Sequence, residues 1–404
     1  MDQPLDPRSK RLVLASADLD ALRRPVLEAS TLPPSCYRSR QAYEAEVEHI
    51  FLKEWVCVGR VDHIPNPGDY LTETIVGQPV LVVRTHEGRI RAHLNVCRHR
   101  GCKIMESAGT AKSIKCPYHG WMYGLDGDLR ATPDFKETVG FDKADYGLHP
   151  VRTEVWEGFI LVNLDPGATP FVDRVSDVDV WGLSHYEVGR QVTLHRWTFD
   201  LACNWKTYVE NYIESYHVPW VHAKTLGAGS TLKDEVYHPN ITDKQWDLIC
   251  SPGPSMSLSD DRDPRFPVSE GLRNVPAQFL GLPVWVCYPG FAIIPMLDCT
   301  LWHNIVPLGP ERMELTMGLS FGAEVAAAYA AGDERTREIV DSYVRNQETI
   351  AAEDNDICER QQLGLAARAA TPGRFCKHEV LAWKFDNWVA RMAYTDDRAL
   401  AAVR

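Results

Sequence analysis

The sequence predicts an α+β protein of more than one domain, and three observations predict it. Between about residues 56 and 165, short alternating runs broken by Gly-containing turns read as β-hairpins. After about residue 166, helical apolar spacing alternates with strand-like runs. The length of 404 residues suits two or three domains with a sizeable core.

Residues 1–55 read as a lead-in region that packs on the third segment. Pro33, Pro34 and Ser35 mark a turn, and AYEAEVEHIFLKEW comes next. Its apolar residues Tyr43, Val47, Ile50, Phe51 and Trp55 recur at spacings of three and four, one face of a helix. Residues 56–165 carry three predicted hairpins, turning at His86-Glu87-Gly88, Asp126-Gly127 and Glu157-Gly158. Residues 166–404 mix types. QVTLHRWTFDL reads as a strand and NWKTYVENYIESYHV as a helix. Residues 251–275, rich in Ser, Pro, Asp and Gly, read as a long loop. WVCYPGFAIIPML, TLWHNIVPL and MELTMGLSF read as strands of an antiparallel sheet, and Val325 to about Gln362 as helix.

Composition narrows the function classes. A formal net charge of −12 without a basic run argues against nucleic acid and against an anionic membrane surface as partners. No segment reaches the roughly 18 apolar residues of a membrane helix, and the first residues lack an apolar stretch with a cleavage site. The expectation is a cytoplasmic protein whose 11 cysteines are free or metal-bound.

Two short stretches carry the chemistry. CRHRGC supplies Cys97 and His99, and CPYHGW supplies Cys116 and His119. Zinc accepts two Cys and two His, but its fingers pair cysteine with cysteine and histidine with histidine. One Cys and one His from each loop suits a [2Fe–2S] cluster with two thiolates on one iron and two imidazoles on the other. Gly101 and Gly120 let both loops turn tightly. LNVCRHRG followed by CPYHGW resembles the Rieske iron–sulfur proteins, and among them the Rieske non-haem iron oxygenases. Cys102 has no second cysteine after His119 to pair with and reads as a plain buried thiol.

A cluster moves single electrons, so a site that consumes them is expected downstream. His217 and His222 are the candidates. Five residues on a regular helix leave side chains about 140° apart. Pro219 lies between them and is expected to end or distort the helix, letting both imidazoles meet one atom. AAEDNDICERQQ offers Glu353, Asp354, Asp356 and Glu359, and two His with one carboxylate bind non-haem iron(II) with open positions. The resemblance favours Asp354 as the ligand, with Asp356 second. It also implies an acid linking the two metal centres, for which Glu214, three residues before His217 on the same helix face, is preferred over Glu210.

The resemblance covers nearly the whole chain. It implies a Rieske β-sandwich domain followed by a catalytic domain, an antiparallel β-sheet wrapped by helices of the helix-grip (START-like) kind. It implies a terminal oxygenase that hydroxylates a small organic substrate with O2. Electrons come from NAD(P)H through a separate flavin/iron–sulfur reductase, directly or via a ferredoxin. The implied assembly is a homotrimer, alone or with a small beta subunit. Trp285, Tyr288, Phe291 and Trp302, with His303 beside them, are the expected pocket wall, which suits an aromatic ring or a methylammonium group. Two other readings are an electron-transfer protein without oxygenase activity and a zinc-stapled binding module.

Overall fold

The computed structural model describes residues 9–176, 178, 182–227, 236–237, 246–251, 258, 264–268, 271–272 and 282–398. The chain divides into two compact units, Lys53–Phe171 and Met1–Leu52 with Val172–Arg404.

In Lys53–Phe171, the three hairpins form as the turn chemistry dictates. Gln78–Arg84 pairs with Ile90–Leu94, Met122–Tyr123 with Leu129–Ala131, and Pro150–Trp156 with Phe159–Asn163, all antiparallel. A seven-stranded sheet runs Val56–Arg60, Phe159–Asn163, Pro150–Trp156, Ile90–Leu94, Gln78–Arg84, Asp69–Ile75, Ala108–Thr110. A three-stranded sheet of Ile114–Lys115, Met122–Tyr123 and Leu129–Ala131 completes the unit. Between them lies a core of Leu81, Val83, Ile104, Ile114, Trp121, Tyr123 and Leu148, and Cys97 and Cys116 belong to that same cluster.

The other unit is built on seven antiparallel strands in the order Val192–Leu201, Arg312–Phe321, Cys299–Gly309, Phe291–Pro295, Leu282–Cys287, Trp246–Ser251, Val236–Tyr237. Here WVCYPGFAIIPML is a hairpin rather than one strand, because Tyr288–Gly290 turns the chain between Leu282–Cys287 and Phe291–Pro295. The Ala-rich run is two helices, Ala323–Ala331 and Glu334–Leu365. They are broken at Gly332, whose φ of 85° is a left-handed cap. The 251–275 stretch lies largely outside the described residues. Among the described residues no helix is long and apolar enough to cross a membrane.

The lead-in helix departs from its predicted face. Arg40–Glu46 is α-helical, but Val47–Phe51 widens to a π-turn. The extra residue shifts the inward face to Ala42, Ala45, Glu46, Ile50 and Phe51, leaving Tyr43 and Val47 only half-buried. Glu46 points inward because it has a partner there. Its carboxylate accepts Lys206 Nζ at 2.6 Å and Trp205 Nε1 at 2.7 Å, and the Tyr394 hydroxyl also donates to it. Lys206 and Glu46 are both fully buried, and Lys206 also donates to the Cys36 carbonyl at 3.0 Å. The lead-in, the Trp205–Tyr212 helix and the Val380–Ala393 helix with its Tyr394 end thus share one buried charged knot.

Breaking such a pair leaves an uncompensated buried charge, which costs about 3–5 kcal/mol. Lys206→Met is expected to lower stability by that amount in urea titration. The double variant Lys206→Met/Glu46→Leu should recover much of the loss. Equal loss in single and double variants would show that the pair is not the knot.

Candidate metal centres

The two loops of the first unit are near copies of each other. Cys97 N–H donates to the Cys102 carbonyl and Cys116 N–H to the Trp121 carbonyl, both at 2.8 Å. Gly101 and Gly120 N–H return to the Cys97 and Cys116 carbonyls at 3.0 and 3.1 Å, and both glycines have φ of 72°, which a side chain would strain. Cys97 and Cys116 share one buried cluster, and the His99 and His119 rings are 4.7 Å apart. Trp121 stacks on His99 at 4.9 Å. The cysteines are buried, His99 is half-buried and His119 is exposed. His99 Nδ1 is buried without a hydrogen-bond partner among the described residues. A buried, unpaired ring nitrogen next to two converging thiols is a donor set awaiting soft, electron-poor atoms. Tyr123 reinforces it, its hydroxyl lying 3.3 Å from Cys97 Sγ and accepting Arg98 N–H at 3.0 Å. Cys102, expected to be buried, is half-exposed; its Sγ meets the Lys103 carbonyl at 3.2 Å.

The second set forms where a helix stops. The Trp205–Tyr212 helix ends at Ile213, before Pro219 rather than at it. Pro219 instead sits in the first turn of the Val218–Val221 helix, where its missing N–H costs nothing. His217 and His222 flank that short helix as its N-cap and C-cap, with ring centroids 5.3 Å apart. His217, His222 and Asp354 offer ligand atoms all within 4.8 Å of one another. Asp354 Oδ1 is 3.0 Å from His222 Nε2 and 3.7 Å from His217 Nε2, and it accepts Asn211 Nδ2 at 3.0 Å.

Each imidazole has a carboxylate behind it. Glu214 Oε1 lies 2.5 Å from His217 Nδ1, and Glu353 Oε2 lies 2.8 Å from His222 Nδ1. Glu214 occupies the break, not a helix face as expected. From there its other oxygen accepts the Tyr216 and His217 N–H groups. Glu353 is held in turn by Thr225 Oγ1 at 2.6 Å. Such partners fix the tautomer, so both Nε2 lone pairs face Asp354. Burial alone would lower the His222 pKa, but Asp354 and Glu353 outweigh it and hold it above the ordinary value. Burial would raise Asp354, yet His222, His217 and Asn211 hold it below the usual carboxylate range.

The other acids lie elsewhere. Glu210 is buried against Tyr37, which donates to it at 2.7 Å, and against Asp386. Burial and the neighbouring Asp386 raise Glu210 well above a normal carboxyl, and burial pushes Asp386 up to about 6. Asp356 is exposed and pairs with Arg360 at 2.8 Å. Glu359 accepts the Ala202 N–H at 2.8 Å. The aromatic residues divide as well. Trp285, Ile293, Trp302 and Gly318 stand opposite one another across neighbouring strands, so they share one sheet face. Trp302 lies over Gly318, whose added Cβ would meet the indole at 2.1 Å, and it donates to Ser320 Oγ. His303 therefore points to the other face, where Tyr212 covers it and the Asp354 charge reaches it. Strand alternation puts Trp285 and Trp302 on the sheet face opposite His303. Phe291 is buried in the sheet, and Tyr288 packs on Phe385 and Trp388 at 5.3 and 4.9 Å.

Sequence reasoning missed Asn211, Tyr212 and Thr225, and saw Glu353 only as a rival ligand. The signal for Glu353 is its adjacency to Asp354. Successive helix residues differ by about 100°, so one can face the metal while the other passes behind a histidine.

Comparison with known proteins adds independent findings. Residues 188–394 match the ring hydroxylating alpha subunit (catalytic domain) and residues 54–146 the Rieske [2Fe-2S] domain. The chain is 29% identical over 346 residues to the carnitine monooxygenase oxygenase subunit of Acinetobacter pittii, covering 84% of this chain and 86% of that one. It is 28% identical over 364 residues to the chloroplastic choline monooxygenase of Spinacia oleracea, covering 87% and 75%. A crystal structure of a quaternary ammonium Rieske monooxygenase has the same fold, with a TM-score of 0.79 at 24% identity over 95% of this chain and 100% of that one.

His303 is the titratable group here whose burial has a readable consequence. Burial lowers its pKa from 6.5 to about 4, so the folded state favours the neutral ring. Stability from this source is full above pH 6.5 and is lost as pH falls toward 4, by about 3 kcal/mol in all. His303→Phe cannot titrate and should lose about that much less stability over this window, read from urea midpoints of the metal-free protein. Identical pH profiles for both proteins would contradict a buried neutral ring.

Proposed function

The chain belongs to the ring-hydroxylating alpha-subunit family, and from that premise we propose that its substrate is a small quaternary methylammonium compound. Family membership makes the protein a Rieske terminal oxygenase with a [2Fe–2S] cluster and a mononuclear iron. It hydroxylates a small organic substrate with O2 and reductase-delivered, NAD(P)H-derived electrons. One observation carries the substrate reading. Relatives matched over more than four-fifths of this chain are a carnitine monooxygenase oxygenase subunit and a choline monooxygenase.

We assign Cys97 and Cys116 to one cluster iron, His99 and His119 to the other, and His217, His222 and Asp354 to the mononuclear iron. When bound, these centres supply single electrons and activate oxygen beside the substrate. The protein's own contribution is orientation. Glu214 and Glu353 keep the Nδ1 protons of His217 and His222, so each Nε2 remains a neutral donor. Thr225 fixes Glu353 and Asn211 fixes Asp354, leaving little freedom in the ligand set. The apolar sheet beneath, with Ala292 and Met317 flanking His303, keeps water from this side. Hydroxylation at a carbon bonded to the nitrogen yields a carbinol that separates into an amine and a carbonyl compound.

The test is a panel of carnitine, γ-butyrobetaine, choline and aromatic acids with a surrogate reductase. Oxygen uptake matched by a hydroxylated quaternary ammonium, or by its amine and aldehyde, is the expected outcome. Uptake matched only by ring alcohols or diols would reassign the substrate to aromatic compounds.

Glu214 is our candidate for the acid that joins the two centres. Beside it Tyr216 and Trp220 expose 45% and 77% of their surface. We read this edge as the meeting point of neighbouring chains in a cytoplasmic homotrimer, alone or with a small partner subunit. Inter-subunit electron transfer is described for the quaternary ammonium monooxygenase of the same fold. Cys97→Ser should lose the cluster, while His222→Ala and Asp354→Ala should each lose only the mononuclear iron. Asp356→Ala should lose neither. Co-expressing Cys97→Ser with His222→Ala should restore part of the activity that each lacks alone. Mixed trimers that stay inactive would confine electron transfer to a single chain.

A further inference from the structure

Where the Trp205–Tyr212 helix covers the sheet, two polar groups meet that the metal ligands do not use. His303 is 6% exposed, and both its ring nitrogens lack a hydrogen-bond partner among the described residues. The Tyr212 hydroxyl is also buried and lacks one. Their rings are 5.9 Å apart and nearly perpendicular, at 84°. Tyr212 comes directly after Asn211, which holds Asp354, and the Asp354 charge reaches His303. Buried polar atoms are nearly always satisfied, and leaving them unpaired is costly. Three such atoms on two neighbouring rings beside a ligand set call for a partner that the described residues do not supply.

We propose that His303 and Tyr212 form a two-donor anchor for a carboxylate of the substrate, opposite the carbon to be hydroxylated. The imidazole N–H and the phenol O–H both donate, and a carboxylate offers two acceptor oxygens. Burial keeps His303 neutral at physiological pH, so its ring brings no charge to repel an ammonium group on the same molecule. The anchor would select zwitterions whose cationic and anionic ends lie a few bonds apart. This deepens the methylammonium reading and rests on it for the choice of the first ligand pair.

The experiment measures Kd by anaerobic calorimetry on iron-loaded protein, for wild type, His303→Phe and Tyr212→Phe. Two ligand pairs are compared, γ-butyrobetaine with butyltrimethylammonium and benzoate with toluene. Each variant is expected to weaken the carboxylate member of the binding pair about tenfold to a hundredfold. The carboxylate-free member should change by less than about twofold. Iron content and cluster absorbance should stay at wild-type levels. Equal weakening of both members would show a packing role and overturn the anchor, as would a wild type that shows no carboxylate preference in either pair. A preference confined to benzoate, lost in both variants, would keep the anchor and overturn the methylammonium reading instead.

Discussion

The arrangement depends on the register between two antiparallel helices. Trp205–Tyr212 and Glu334–Leu365 are locked at one end by backbone groups that side chains of the long helix receive. Ala202 N–H meets Glu359 and Asn204 N–H meets Gln362, at 2.8 and 2.9 Å. One turn on, Cys358 Sγ meets the Thr207 carbonyl at 3.9 Å, and a further turn brings Asn211 to Asp354 at 3.0 Å. A one-residue slip would rotate Asp354 by about 100° and carry it away from both histidines. The shorter helix then stops, because the chain beyond it must cross in front of Asp354. Ile213–Tyr216 turn the chain, and His217 and His222 arrive at the two ends of the next short helix.

Buried ionisable groups secure that register from behind. Lys206 and Glu210 sit on the part of the Trp205–Tyr212 helix turned from the ligands, Lys206 bound to Glu46 and Glu210 facing Tyr37 and Asp386. Each of these contacts reaches a segment from the opposite end of the chain, the lead-in or the Val380–Ala393 helix. Desolvation makes such pairs poor sources of net stability but strong discriminators of geometry, since any misplacement leaves a charge unpaired. They position the helix whose far end places Asn211 and the break.

Much of this was legible in the sequence, and the losses have physical causes. Turn residues such as Asp126-Gly127 announce hairpins because local dihedral preference decides them. The Cys and His spacing announced the first donor set because one short loop holds each pair. The position of the helix break was not legible. Pro219 is the obvious breaker, yet it starts the Val218–Val221 helix, while Ile213 and Glu214, ordinary helix residues, end the previous one. The sheet face of each aromatic residue was not legible for a related reason. Trp302 and His303 are neighbours in sequence, and a strand sends neighbours to opposite faces, but nothing local says which face meets the metal ligands. Gly318, leaving room for the Trp302 indole, records the choice.

The charge around the second set differs from that of the sheet and helix surfaces beside it. Glu214, Glu353 and Asp354 surround two imidazoles within hydrogen-bonding range. Iron(II) would cancel two of these three negative charges, and the remainder favours a cationic group nearby. A carboxylate in the same space would be repelled unless donors met it. Tyr212 and His303 bring donors and no charge, His303 from the sheet and Tyr212 from the end of the helix that covers it. A molecule with an ammonium group at one end and a carboxylate at the other would satisfy both sides in one orientation. The reversed orientation would bring the carboxylate nearer the negative charge of Asp354 and of the acids behind the histidines. The same division that selects a zwitterion would therefore also select which of its carbons faces the iron.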